Sequence, residues 1–342
     1  MRNKTLLIAT LVLGLVAFAV VRLTRETAEA APAAAPLVDP AVFGALKSLT
    51  VKSGPRSVTV TKAGESWTVT DRFGLPADVE NRLLPLIRGL QKARQHGQLT
   101  ANPKRLERLA LADSSLTLVG DDGKPLTIQF GKQTEDGLGA SARLPGQDFA
   151  IRTDFTGYLE GDPLSWVDLT LFASKPTEIK TIDFEWSDGK ASFSRKAVGA
   201  LFEGKDGPTV EDIVATLANV RAADAVAADD KDAAKAVRAA QVKLTLFDGA
   251  MVTLTFAKVG GATPNEQPKT FVRVAHSDPK HPANATAKKA AFVAAAWLAE
   301  QVPASLADFR KGQQPAAETP APVIQIPGPA PTIVPPKEIT VK

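Results

Sequence analysis

The sequence predicts an α+β protein: two tandem copies of a strand-rich antiparallel unit with packed helices, behind one N-terminal transmembrane helix. Three observations carry this prediction. Short segments alternate apolar and polar residues at period two, the pattern of half-buried strands. One phrase occurs twice, as LTLVGDDGKPLTIQF from Leu116 to Phe130 and as LTLFDGAMVTLTF from Leu244 to Phe256. An almost wholly apolar run, Thr5 to Val21, follows Arg2 and Lys4.

A helix over that run spans about 25 Å at 1.5 Å per residue, near the lower limit for a bilayer core. A cleaved signal has a shorter apolar region, roughly 7–15 residues, closed by small residues. The nearest such site, Ala28-Glu29-Ala30, lies well beyond the run. Residues 1–26 are therefore expected to form an uncleaved signal anchor. Arg2 and Lys4 on one side nearly balance Arg22 and Arg25 on the other, so counting basic residues does not orient it. The long body behind the anchor favours an N-terminus inside, with the body in the periplasm of a bacterium at its inner membrane. Residues 27–43 read as an Ala/Pro linker. Residues 313–342 are too rich in proline for helix or central strand and read as a disordered, extended tail.

Between these ends lie two expected domains, residues 44–174 and 175–312. The first opens with LKSLTV, SVTVTK and ESWTVT, which place Leu49, Val51, Val58, Val60, Trp67 and Val69 on one face. The second opens with IKTIDFEW, KASFSRK and GALFEG, with Ile182, Phe184, Trp186, Phe193 and Leu201 in the comparable places. A helix is expected next in each. In the second domain Val210, Ile213, Val214, Leu217 and Val220 form an apolar stripe, and Thr209 is the expected N-cap. In the first, Val79, Leu83, Leu86 and Leu90 match it, with Pro85 kinking the helix or delaying its start. NPKRLERLAL adds a short helix in the first domain. The repeated phrase then reads as a hairpin, turning at Asp122-Gly123 and again at Asp248-Gly249. Finally DPLSWVDLTLF is echoed by VPASLADFRKG, Pro163, Ser165 and Asp168 matching Pro303, Ser305 and Asp308.

The anchor, the run SVTVTKAGESWTVTDRFGLPADVENRLLPLIRGL, and the segments TANPKRLERLAL and GDPLSWVDLTL resemble the domain of unknown function 4340 family. The resemblance covers most of residues 45–172 and, more faintly, 178–312. The second copy departs from the pattern where the Asn-Pro-x-Arg-Leu segment should stand. Membership implies a membrane-anchored, exported protein similar to auxiliary components of ABC-2 type transporters related to the gliding-motility system. It supplies no catalytic or ligand residue.

The residues themselves assemble no chemical site. The chain has no cysteine, which removes thiolate nucleophiles and Cys-based zinc sites. His276 and His281 flank Asp278 in a Pro-containing loop, a poor setting for a metal. His96 is expected at a helix end before Gly97. Ser187/Lys190 and Ser277/Lys280 satisfy Ser-x-x-Lys but fall in turns, without an accompanying Lys-Thr-Gly. Asp121-Asp122 and Asp229-Asp230 read as solvated turn acids, and Asp229, Asp230 and Asp232 lack the glycine and closing glutamate of a calcium loop. DGLGA at 136–140 lacks the Gly-Lys-Ser/Thr of a phosphate loop. The tryptophans read as packing residues. A net charge of +4 with dispersed bases argues against nucleic acid.

The expectation is therefore a non-enzymatic accessory or scaffold protein, with no catalytic, cofactor-binding or metal residues and no cofactor. Its partners would be the membrane and proteins of an inner-membrane transport complex of the ABC-2 type. The alternative is a periplasmic binding module for cell-wall glycan or lipid.

Overall fold

In the computed structural model the described residues are 34–134, 137–260 and 268–311. The expected transmembrane helix and the Pro-rich tail lie outside them. Among the described residues no helix is long and apolar enough to cross a membrane.

The first sheet uses nine strands: β1 Ser48–Ser53, β2 Arg56–Ala63, β3 Ser66–Val69, β4 Leu75–Pro76, β5 Gln95–Thr100, β6 Ser114–Val119, β7 Pro125–Gln133, β8 Ala140–Arg143 and β9 Ala150–Thr153. Their spatial order is β4-β3-β2-β1-β6-β7-β8-β9-β5. The second sheet uses eight: β10 Thr170–Ala173, β11 Ile179–Trp186, β12 Gly189–Ser194, β13 Asn219–Ala227, β14 Val237–Leu246, β15 Met251–Val259, β16 Lys269–His276 and β17 Ala290–Ala294. Their order is β10-β13-β17-β16-β15-β14-β11-β12. Two antiparallel sheets with short helices make the architecture α+β. Seven strands of each sheet occur in one shared order: β2-β1-β6-β7-β8-β9-β5 in the first matches β12-β11-β14-β15-β16-β17-β13 in the second.

The alternating segments lie where expected. Leu49, Val51, Val58, Val60 and Val69 are fully buried, as are Ile182, Val242, Leu244, Val252 and Leu254. Each such side chain removed from water contributes roughly 1.5–3 kcal/mol. The repeated phrase forms the hairpins β6–β7 and β14–β15, with Val119 opposite Pro125 and Thr245 opposite Met251. Gly123 and Gly249 take the left-handed backbone those turns require, at φ of 70° and 91°.

The helices depart from expectation in detail. Pro85 sits in the first turn of α2, Leu84–Lys92, which follows a π-helical turn at Val79–Leu83 capped by the Asp78 carboxylate; α1, Pro40–Gly44, precedes β1. The run is therefore helical from Val79 to Lys92, and the missing Pro85 N–H falls at the junction where the π-helical turn passes into the α-helix. NPKRLERLAL gives α3, Pro103–Arg108, with Asn102 as cap. The second apolar stripe up to Leu217 gives α4, Gly207–Leu217, while Val220 falls in β13; the N-cap is Asp206 rather than Thr209, because Pro208 already occupies the first turn. The short helices α5 Lys231–Lys235, α6 Pro282–Lys289, α7 Ala296–Gln301 and α8 Leu306–Lys311 are the remaining α-helices among the described residues. GALFEG forms no strand, and Leu201, expected in the core, is 76% exposed.

The contacts divide the chain into two compact units. The first takes the described residues up to Thr170 with Ala222–Asp230 and Ala285–Phe292; the second takes Leu171–Arg221, Lys231–Asn284 and the described residues from Val293.

Candidate functional site

In the second unit β12 ends at Ser194, and the chain turns through residues 195–206 before α4 begins. Arg195 points inward and is 3% exposed. Its Nη1 donates to the Ala200 carbonyl at 3.0 Å, and its Nη2 donates to the Pro176 carbonyl at 3.2 Å and to Glu211 Oε2 at 3.4 Å. Glu211, on α4, uses its other oxygen to accept from the Phe202 N–H at 2.8 Å. The guanidinium stacks over the Phe202 ring at 4.0 Å from its centroid. Burial pulls the Arg195 pKa below the usual arginine value, and the Glu211 charge opposes that pull. An arginine stays charged through such a shift, so the pair is a standing charge pair under the loop.

The pair fixes the loop from below at Ala200 and Phe202, and a Lys196–Glu203 ion pair of 3.0 Å closes it at the surface. Gly207 lets the loop pass over the start of α4, since a Cβ there would run into the Phe202 carbonyl. The outcome is a braced loop whose Val198 and Leu201 side chains stand 61% and 76% exposed. A charge pair contributes little net stability once desolvation is counted. What it supplies here is geometry: one backbone path that holds two apolar side chains in water.

The residue types weighed for chemistry are spent elsewhere. The His276 and His281 rings stack with centroids 4.0 Å apart. His276 Nδ1 accepts from the Asp278 N–H and His281 Nδ1 from the Ala283 N–H. Each neutral ring then carries its proton on Nε2, so neither offers that nitrogen to a metal. Among the described residues no three His, Asp or Glu side chains gather as a metal site. His96 lies within β5 rather than at a helix end, because α2 has already stopped at Lys92; its Nε2 is 3.1 Å from Asp154.

Ser187 and Asp188 make the β11–β12 turn, where the Asp188 carboxylate accepts from the Leu306 and Ala307 N–H groups and caps α8. Lys190 pairs with Glu185 at 3.3 Å, away from any serine nucleophile role. Ser277 accepts from the Met251 N–H. Asp121 pairs with Lys47, and Asp232 with Lys269. Trp166 and Trp186 are buried and donate to the carbonyls of Glu160 and Pro303, while Trp297 is 49% exposed. A shallow groove of about 390 Å³ lies on the outer face of β11, β12 and β14. Its acids Asp183 and Glu185 are already held by Ser192, Lys190 and Arg238.

Residues 67–200 match the family model for the domain of unknown function DUF4340. The DUF4340 match runs from β3 through β12 into the braced loop, taking in Arg195 and Val198 and stopping before Leu201. No curated protein and no solved structure matches the chain.

The sequence pointed at Leu201 for the wrong reason. Alternation in GALFEG reads as a third strand, but glycines at 199 and 204 take φ of 77° and 99°, which interrupt an extended run. An arginine followed by a glycine-bounded apolar loop and a glutamate in the next helix was the available signal.

Proposed function

We propose that the protein is a non-catalytic accessory subunit, held at the bacterial inner membrane by its N-terminal apolar run, with its body in the periplasm. Its partners are proteins of an export complex, the ABC-2 type being the association that the family resemblance suggests. The braced loop of the second unit carries this reading. Binding energy at protein interfaces concentrates in a few anchors held rigidly and desolvated on contact. Val198 and Leu201, exposed on a path fixed by Arg195 and Glu211, have that form.

The body is further read as a tandem duplication. The shared order of seven strands, the repeated hairpin phrase and the echo between 162–172 and 302–312 support it. On this reading β3 has no counterpart in the second copy, and the loop occupies its place in the chain. Membrane confinement would raise the loop's effective concentration for a membrane-bound partner, which favours a modest contact area.

The test is in-cell photocrosslinking from a reactive residue placed at position 201, with the same residue at exposed Glu107 as control. Capture of transporter membrane subunits from position 201, lost on Val198→Asp, supports the proposal. Equal capture from both positions, or recovery of glycan or lipid alone, overturns it.

A further inference from the structure

The strand β12 ends the second sheet, with β11 beside it and no strand on its other side among the described residues. Two bonds fix which of its groups face that open side. The Arg195 N–H donates to the Lys180 carbonyl, and the Glu203 N–H donates to the Ser194 carbonyl from outside. By strand alternation Gly189, Ala191 and Phe193 bond β11, so the N–H and C=O of Lys190 and Ser192 point outward. Past them the edge is closed, since Glu203 takes the Ser194 carbonyl. The open stretch is therefore Gly-Lys-Ala-Ser-Phe, residues 189–193. A row of unpaired backbone groups is a template for another strand.

The stretch is complementary to itself in one register. Two copies related by a two-fold axis meet at such an edge antiparallel, with residue i opposite j and j opposite i. Outward-bonding residues must face outward-bonding residues. The symmetric registers that keep most of the stretch paired centre on Lys190, Ala191 or Ser192. Centred on Lys190, two lysines stand directly opposed, which is destabilising. Centred on Ser192, Lys190 of one copy falls opposite Ser194 of the other, whose carbonyl is already bonded by Glu203. The register centred on Ala191 meets neither obstacle. It sets Lys190 opposite Ser192, the small Ala191 opposite itself, and Phe193 opposite Gly189.

We propose that β12 pairs with β12 of a second copy in that register, joining two second sheets across a two-fold axis at Ala191. Lys190 of each chain exchanges two backbone hydrogen bonds with Ser192 of the other. On the outer face each Lys190 then lies between its own Glu185, 3.3 Å away, and Ser192 of the second copy, whose hydroxyl donates to Asp183. A positive charge thus has an acid on either side. On the other face Phe193 stays half-buried in one chain, although Phe309 packs on it with ring centroids 5.6 Å apart. The second copy covers it. Gly189 opposite has no side chain, and Leu306 lies over it so closely that a Cβ there would meet Leu306 Cδ2 at 2.5 Å. An aromatic ring set across from an edge glycine is a favourable cross-strand pair.

So short an edge offers less area than the roughly 1,200–2,000 Å² of stable complexes, so the pair exchanges freely and a covalent trap reads it. The chain has no cysteine, so one introduced thiol reports its own contact. In the full-length protein Ala191→Cys should form a disulfide-linked dimer under mild oxidation, because residues opposed in a non-hydrogen-bonded pair stand about 4.5 Å apart at Cα. It should do so at least tenfold faster than Lys190→Cys or Ser192→Cys, although those two positions are the more exposed. Chance collision gives the reverse order. Adding Ser192→Lys should slow the Ala191→Cys link at least tenfold: in one chain it sets a lysine beside Asp183, but between copies it opposes two lysines. No link from position 191, an equal or faster link from 190 or 192, or a link indifferent to Ser192→Lys overturns the proposal.

Discussion

Replacing Glu211 by alanine removes two things at once. The Phe202 N–H loses its acceptor, and the Arg195 guanidinium, with a side chain 2% exposed, loses its counter-charge. Breaking a buried pair by deleting one partner costs roughly 3–5 kcal/mol, because the survivor remains charged out of water. The Glu211 side chain is 25% exposed and the Ala200 and Pro176 carbonyls stay bonded, so water and dipoles compensate in part. The cost then falls at the lower end, about 3 kcal/mol, or a fall in Tm of roughly 6–12 °C for a body of this size. Equilibrium urea unfolding measures it. The double variant Arg195→Met, Glu211→Leu should recover to within about 1 kcal/mol of the parent, since an apolar pair of similar volume carries no desolvation cost. Its Ala200 and Phe202 amides should nevertheless exchange faster, and crosslinking from position 201 should drop. A Glu211→Ala cost below about 0.5 kcal/mol, within the range of ordinary surface changes, would refute the bracing argument.

Three further outcomes follow from the geometry. Leu201→Asp should leave stability within about 0.5 kcal/mol, as expected for an exposed side chain, while abolishing partner capture from a reactive residue placed at position 198; unfolding and crosslinking are compared on the same variant. Burial, then the neighbouring His276 charge, lowers the His281 pKa from its ordinary 6.5. A histidine kept neutral by folding stabilises fully above 6.5 and loses that contribution as pH falls below it, so stability should decline on mild acidification, and His281→Gln should flatten the decline in pH-dependent unfolding. In the first unit a Cβ at Gly131 would collide with the Leu109 carbonyl, which approaches β7 there to accept from Lys132. Gly131→Ala should cost about 1–3 kcal/mol by thermal unfolding, and an unchanged Tm would show that the loop moves aside freely.

How far the sequence could be read depended on whether the signal was local. Strand alternation put Leu49, Val51, Val58 and Ile182 in the core, because burial on one face is written at period two regardless of partners. Asp-Gly marked both repeated hairpins for the same reason. The region after α4 was opaque: Asn219–Ala227 is a nine-residue strand, yet its alanines, Asn219 and Asp224 carry weak strand propensity. Its conformation is set by pairing within the sheet, which no local window contains. His96 was misplaced because Gly97, at φ of 90°, reads equally as a helix stop or as a strand irregularity. The braced loop escaped notice because its parts, Arg195, Phe202 and Glu211, become neighbours only when α4 folds back beneath residues 196–203.

The order in which the strands leave the ribosome follows from the sheet topology. All nine strands of the first sheet end by Thr153, before β10 starts at Thr170, and no strand of one sheet is inserted into the sequence of the other. At synthesis rates of about 5–20 residues per second, β11, which ends at Trp186, emerges several seconds before its sheet neighbour β14, which ends at Leu246. During that interval β11 and β12 wait as a lone hairpin with phrases akin to those of β1, β6 and β7. Had the two strand sets been interleaved, the look-alike segments could have exchanged partners. With the earlier strands already free to close on one another, the later ones meet few vacant seams, and chain order itself protects against swapped pairing.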